Sequence, residues 1–154
     1  VRSIAAHPRV AVLVMGTNDL AKELRSPIVA GRHPLVPHLA TALLAAREAG
    51  KVILDGVYND VKNAEGFAAE CTQGMEMGFD GKTLIHPTQV EPANGVWAPG
   101  ADEVEYAERV IAAFDDAVAE GKGVVTVDGR MIENLHVDNA RRVLATAVAI
   151  AALQ

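Results

Sequence analysis

Val10-Ala11-Val12-Leu13-Val14-Met15-Gly16-Thr17-Asn18-Asp19 is an apolar run that stops at a glycine and turns polar within one residue. Pro8 lies just before it, and the run is too short for a globular helix. Its β-branched residues therefore predict a buried strand over Val10 to Met15. Asn18 and Asp19 then stand before Leu20-Ala21-Lys22-Glu23-Leu24, a short helical turn with a polar cap. Downstream the same grammar repeats. Ser26 to Pro37, with three prolines and a glycine, reads as a loop. Leu39, Leu43, Leu44 and Ala46 predict an amphipathic helix from about Pro37 to Glu48, with Gly50 in the C-cap place. Val52-Ile53-Leu54 is a second strand. Asp60 can cap the next helix, where Val61, Ala64, Phe67, Ala68 and Cys71 recur at helical spacing until Gly78. Thr83-Leu84-Ile85 is a third strand, ended by His86-Pro87. Strand, helix, strand, helix, strand argues for parallel strands joined by crossover helices, buried on both faces.

After Trp97 the pattern changes. Val104, Ala107, Ile111, Phe114 and Val118 predict a long helix with Asp102, Glu103 and Glu105 at the positive end of its dipole. Asp128-Gly129 between Val124–Val127 and Arg130–Ile132 is a two-residue hairpin signal, and an alanine-rich helix follows from about Val137 to Ala152. The expected division is residues 1–98 and 99–154. Three such strands cannot close a barrel, which needs about eight. Together with a first residue that is Val1 rather than Met, this suggests a piece of a longer protein.

Composition narrows the function classes. The 154 residues are 50% hydrophobic and 22% charged, which suits one ordinary folded chain rather than a disordered one. The longest apolar runs, such as Ala145 to Leu153, fall short of the roughly 18 to 20 residues of a membrane span, and no signal peptide is evident. A formal charge of −6 leaves no cationic face for phosphates, so neither nucleic acid nor a membrane is an expected partner. The lone Cys71 cannot form an internal disulfide and reads as a small buried hydrophobe, in keeping with a reducing cytoplasmic setting.

In parallel α/β proteins ligands sit at the carboxyl ends of the strands. Those ends here are Gly16-Thr17-Asn18-Asp19, Asp55-Gly56-Val57-Tyr58 and His86-Pro87-Thr88-Gln89. A carboxylate there suits Mg²⁺, which prefers oxygen and takes one or two carboxylates plus substrate oxygens. Asp19 reads equally as a helix cap, Asp55 as a turn residue, His86 as a strand-end hydrogen-bonding group, and Glu133 as a solvated side chain. No phosphate-binding loop, dinucleotide fingerprint, nucleophile elbow or cysteine pair is present.

Four strings carry more. Val14-Met15-Gly16-Thr17-Asn18-Asp19-Leu20, Ile53-Leu54-Asp55-Gly56-Val57-Tyr58, the run from Gly78-Phe79-Asp80-Gly81-Lys82 to Gln89, and Asp128-Gly129-Arg130-Met131-Ile132-Glu133 resemble, in order, motifs of citrate lyase beta subunit-like CoA-ester lyases. These belong to the HpcH/HpaI aldolase superfamily. The resemblance implies an α/β fold in which this chain is the C-terminal portion of a (β/α)8 TIM barrel, its last three strands, followed by a helix-hairpin-helix extension. It implies Mg²⁺ at the barrel mouth, with Asp19 as the aspartate of a Gly-x-x-Asp motif. The partner glutamate and a substrate-gripping arginine would precede Val1. Gly16 and Asp55 would border the substrate pocket, and His86 and Pro87 would lie near the coenzyme A.

In relatives the extension of a neighbouring subunit supplies an acidic residue, usually aspartate, after Met-Ile; here it is Glu133, one methylene longer. The implied reaction is a reversible, Mg²⁺-dependent cleavage of a 3-hydroxy-acyl-CoA such as malyl-CoA or citramalyl-CoA to acetyl-CoA plus glyoxylate or pyruvate, with Glu133 protonating the enolate. The alternatives are a malyl-CoA thioesterase or malate synthase-like outcome, a citryl-thioester lyase, or a non-catalytic fragment. The expected partners are acyl-CoA and 2-oxo acid molecules and further copies of the chain, as a trimer or hexamer.

Overall fold

The computed structural model describes residues 1–153, which separate into two compact units, Val1–Trp97 and a second beginning at Ala98. The first unit runs α1 (Arg2–Ala5), β1 (Val12–Val14), α2 (Thr17–Leu24), a 3-10 turn (Ala30–Arg32), α3 (Val36–Glu48), β2 (Val52–Asp55), α4 (Ala64–Met77), β3 (Gly81–Lys82), a second 3-10 turn (Pro87–Gln89) and α5 (Val90–Trp97). Its sheet has the order β1-β2-β3, with both pairs parallel. The α/β alternation read from the apolar runs is therefore what forms.

The register sorts the side chains. Leu13 pairs with Ile53, and both pack on the α3 side with Leu39, Ala42, Ala46 and Phe79. Val12 and Val14 pair with Val52 and Leu54 on the other face, and there burial on both faces does not hold. Val14 is 57% exposed, and Val12 and Val52 are exposed as well, because no element of this unit covers that side.

Other boundaries move for local reasons. The third strand is Gly81–Lys82, not Thr83–Ile85. Thr83 still donates its N–H to the Asp55 carbonyl at 3.0 Å. Two residues on, the Ile85 N–H turns to the Gln89 side chain at 3.0 Å and the ladder ends. α4 is capped by Asn63, whose side chain accepts from the Gly66 N–H at 2.8 Å, so Asp60 is not its cap and Val61 lies outside it, exposed. Leu44, expected on the buried stripe of α3, is also exposed. α2 begins one turn earlier than the polar cap suggested, with Gly16 at the N-cap. α5 had no clear signal because Pro92, Asn94 and Gly95 weaken its pattern; Pro92 is tolerated in the first turn, where no intrahelical N–H bond is lost.

The second unit is α6 (Ala101–Ala119), β4 (Val125–Val127), β5 (Arg130–Ile132) and α7 (Asn134–Ala151). Val110, Phe114, Ile132, Val137 and Val143 form its core. The antiparallel hairpin turns at Asp128 and Gly129, both with positive φ (49° and 77°), as a two-residue primed turn requires. No helix of the described residues is long and apolar enough to cross a membrane.

Ile53 is fully buried between sheet and α3, so Ile53→Ala is expected to destabilise the first unit by about 2–5 kcal/mol, read from urea unfolding.

Candidate functional site

The carboxyl ends of β1 and β2 are clipped together before any side chain chemistry begins. Met15 donates to the Leu54 carbonyl at 3.0 Å, and Asn18 and Asn59 exchange amide hydrogen bonds of 3.0 and 2.7 Å. Thr17 is buried against the Gly56 backbone. Asp19 emerges from this clip in the first turn of α2, where the helix dipole favours an anion. Its carboxylate is exposed, folds back over Gly16, and has no cation partner among the described residues. An open carboxylate with free oxygens fits a hard cation as part of a ligand set. No group of three His, Cys, Asp or Glu side chains that could hold a metal occurs among the described residues, around Asp19 or elsewhere.

Asp55, at the same place one strand over, has the opposite surroundings. Its side chain is 0% exposed. Oδ1 accepts from Arg32 Nη1 at 2.6 Å and from the Gly56 N–H at 2.7 Å, while Oδ2 accepts from Lys82 Nζ at 3.0 Å. Lys82, whose side chain is also fully buried, donates to Glu70 Oε1 at 2.7 Å. Arg32 Nε donates to Gln73 at 2.8 Å. Two cations and two carboxylates thus form a neutral buried network. Asp55 lines no open pocket; it is enclosed by cations that the strand-end position alone did not announce.

Arg32 reaches this network at a backbone cost. Its φ is +40° beside Gly31 at +70°, a conformation a non-glycine residue rarely holds without compensation. Gly74 makes room for the carboxylate from the α4 side: a Cβ there would lie 2.9 Å from Asp55 Oδ2. Cys71, packed next to Phe67 and Ala93, is buried beside this network. Burial pushes its thiol above the usual cysteine range, Glu70 and Asp55 adding to the rise and Lys82 and Arg32 opposing it.

A cavity of about 420 Å³ opens beside the network, between the segment around Ile28 to Leu35, the segment around Val57 to Asp60, and α4. Tyr58 lines it, its phenol pushed above the ordinary tyrosine value first by burial and then by the carboxylates of Asp60 and Glu70.

The remaining expected site residues lie elsewhere. His86 N-caps the second 3-10 turn; its Nδ1 accepts from the Thr88 N–H at 3.3 Å and lies 2.9 Å from Thr88 Oγ1. His86 and Pro87 are exposed. Glu133 belongs to the second unit, where it is the exposed N-cap residue of α7 and its N–H donates to His136 Nδ1 at 3.0 Å. Arg32 and Glu70 were not singled out from the sequence, and Lys82 and Gln89 appeared only within the Gly78 to Gln89 string with no role assigned. Their only signal there was charge or amide character in otherwise apolar surroundings.

A family profile described as HpcH/HpaI aldolase/citrate lyase matches residues 1–87. The chain belongs to this family. Over 151 residues it is 56% identical to a (3S)-malyl-CoA thioesterase of Cereibacter sphaeroides, a match covering 98% of this chain and 53% of that protein. It is 37% identical to the citrate lyase subunit beta of Escherichia coli, covering 92% of this chain and 47% of the relative. Among solved structures, CitE from Mycobacterium tuberculosis in complex with magnesium, acetoacetate and coenzyme A superposes with a TM-score of 0.78 at 27% identity, covering 95% of this chain and 55% of that one. The chain thus spans about half the length of the curated relatives it matches.

Removing Asp55 leaves Arg32 and Lys82 as buried cations sharing one carboxylate, so Asp55→Ala is expected to cost about 3–5 kcal/mol in chemical denaturation. The Cys71 thiol is expected to resist alkylation at pH 8 in the folded protein and to label rapidly in urea. Because its pKa is raised on folding, its contribution to stability is complete below the unfolded thiol value of about 8.5 and is lost as pH rises through the folded value.

Proposed function

We propose that this chain forms the last three strands of a (β/α)8 barrel with its C-terminal extension, in an enzyme that uses Mg²⁺ to act on a 3-hydroxy-acyl-CoA of the malyl-CoA kind. The observation that carries the reading is Asp19: a carboxylate at the carboxyl end of β1, exposed and unpaired, in a chain of the citrate lyase family. Magnesium held there, with further ligands from the rest of the protein, would polarise substrate oxygens as a Lewis acid and fix their orientation. The outward apolar face of β1 and β2 supports the barrel assignment, since a parallel sheet of this composition is ordinarily covered on both sides.

Asp19 is held ready for that work by the Asn18–Asn59 amide pair and by Thr17 packed on Gly56, which fix the first turn of α2 against β2. Gly16 precedes this turn as the N-cap residue of α2, with the Asp19 carboxylate folded back beside it. Glu133 is the proposed proton-transfer group, contributed by the extension of a neighbouring copy in a homo-oligomer. Glu133 is exposed at the N-cap of α7, where its side chain forms a capping box with His136, so its carboxylate stands at the surface with one side toward solvent.

Two net reactions fit such a site. Hydrolysis of the thioester yields free CoA and malate; carbon–carbon cleavage yields acetyl-CoA and a 2-oxo acid. The 56% identity to a malyl-CoA thioesterase, against 37% to a citrate lyase subunit, favours hydrolysis as the net outcome, with cleavage as the second reading.

The full-length protein is expected to convert malyl-CoA to free CoA and malate in Mg²⁺, with products resolved by mass, and to stop in chelator. Acetyl-CoA plus glyoxylate, or pyruvate from citramalyl-CoA, would establish the lyase instead; no metal-dependent turnover of either substrate would overturn the reading. Asp19→Ala is expected to abolish the metal dependence together with activity. Glu133→Gln is expected to lower kcat by about 10²- to 10⁴-fold with little change in binding, measured by steady-state kinetics.

A further inference from the structure

The backbone at Glu133 is anchored from both sides. Ile132, the last residue of β5, and Val137, at the fourth position of α7, are buried in the same core of the second unit. They occupy the two positions of a hydrophobic staple, which fixes the angle at which a chain enters its helix. The side chain has no such anchorage. Glu133 is exposed, and Met131 and Leu135 on either side of it are exposed as well. A glutamate left to itself in such a place samples many rotamers, because several rotatable bonds separate its carboxylate from the backbone.

His136 supplies the missing restraint. Its Nδ1 accepts from the Glu133 N–H at 3.0 Å, while the Glu133 side chain turns back to the His136 N–H, which also reaches the Glu133 carbonyl at 2.9 Å. This reciprocal pair is a capping box, in which the third helical residue is ordinarily glutamate or glutamine. Histidine departs from that pattern in two useful ways. An imidazole accepts the Glu133 N–H without adding negative charge, whereas a glutamate there would set a second carboxylate three residues from the first, a spacing at which like charges repel. Its ring also reaches the N–H through fewer torsions than a glutamine would, so less freedom is lost in closing the box.

We propose that His136 is a positioning residue for Glu133: it fixes the direction in which the carboxylate leaves the extension, and so the path along which a proton passes between that carboxylate and the substrate. The inference rests on the role proposed for Glu133 and deepens it. His136 itself touches no reacting atom. Proton transfer requires the donor and acceptor within hydrogen-bond reach, and a displacement of about 1 Å costs on the order of a hundred-fold in rate. Loss of the restraint therefore falls on turnover and spares substrate binding.

Steady-state kinetics of the full-length protein with malyl-CoA and Mg²⁺ test this in His136→Ala, His136→Gln, Glu133→Gln and the double variant of His136→Ala with Glu133→Gln. His136→Ala is expected to lower kcat by about 10- to 100-fold while KM changes by no more than about two-fold. His136→Gln offers an amide oxygen to the Glu133 N–H and is expected to recover most of that loss. On the Glu133→Gln background, His136→Ala is expected to have no further effect on kcat, since no proton-transfer group remains to be placed. Losses that multiply in the double variant would show His136 acting independently of Glu133 and would overturn the proposal; so would an unchanged kcat in His136→Ala, or a loss confined to KM. Normal turnover in Glu133→Gln would overturn the role proposed for Glu133 and, with it, any need to position that residue. Amide hydrogen exchange followed by NMR gives a readout free of activity. The Glu133 N–H is expected to be protected in the unmodified protein and in His136→Gln, and to exchange about ten-fold faster or more in His136→Ala. A Glu133 N–H that exchanges freely in the unmodified protein would overturn the positioning role whether or not malyl-CoA is turned over.

Discussion

Arg32, Asp55, Lys82 and Glu70 come from four separate places in the chain, a 3-10 turn, β2, β3 and α4, and meet with almost no access to water. Each charge loses several kcal/mol of hydration on burial, which Coulomb attraction returns only when the geometry is good and the charges balance. Here they balance two against two, with bonds of 2.6 to 3.0 Å. The net gain in stability over an apolar core of the same size is small. The cost of breaking the network is not, because removing any one partner strands an opposite charge in low dielectric. The first unit is therefore bound to one mutual arrangement of turn, strands and helix.

That constraint separates two carboxylates that occupy equivalent positions in the chain. Asp55 is surrounded by cations and serves as an anchor. Asp19 makes no ion pair among the described residues and stands exposed at the start of α2. Position at the end of a strand makes both of them candidates for a site; the neighbours supplied by other elements decide which one can bind a ligand. The same network holds Arg32 in the wall of the adjoining cavity.

Membership of the HpcH/HpaI aldolase/citrate lyase family places the chain beside proteins that act on CoA thioesters. The proposed enzyme divides its work accordingly: Asp19 for the metal and Glu133 for a proton.

Apolar runs bounded by proline and glycine were enough to reveal the parallel α/β order, and Asp128-Gly129 the hairpin, because these signals are local: backbone preference and side-chain period act within a few residues. The motif strings carried the family, and with it Asp19. Strand ends were less legible. Thr83 to Ile85 has strand composition, yet after the Thr83 bond to the Asp55 carbonyl the Ile85 N–H goes to the Gln89 side chain and the strand ends. The exposed faces of Val12 and Val14 were hidden for a similar reason, since period alone cannot say whether a covering layer is present. The sequence by itself determined the order of elements and the position of Asp19 just past β1; its exposure came from the structure. Only the tertiary structure decided that Arg32, Lys82 and Glu70 would close around Asp55 and frame a cavity, because ion pairs spanning 12 to 27 residues of chain depend on how whole elements pack, and no local pattern encodes that distance.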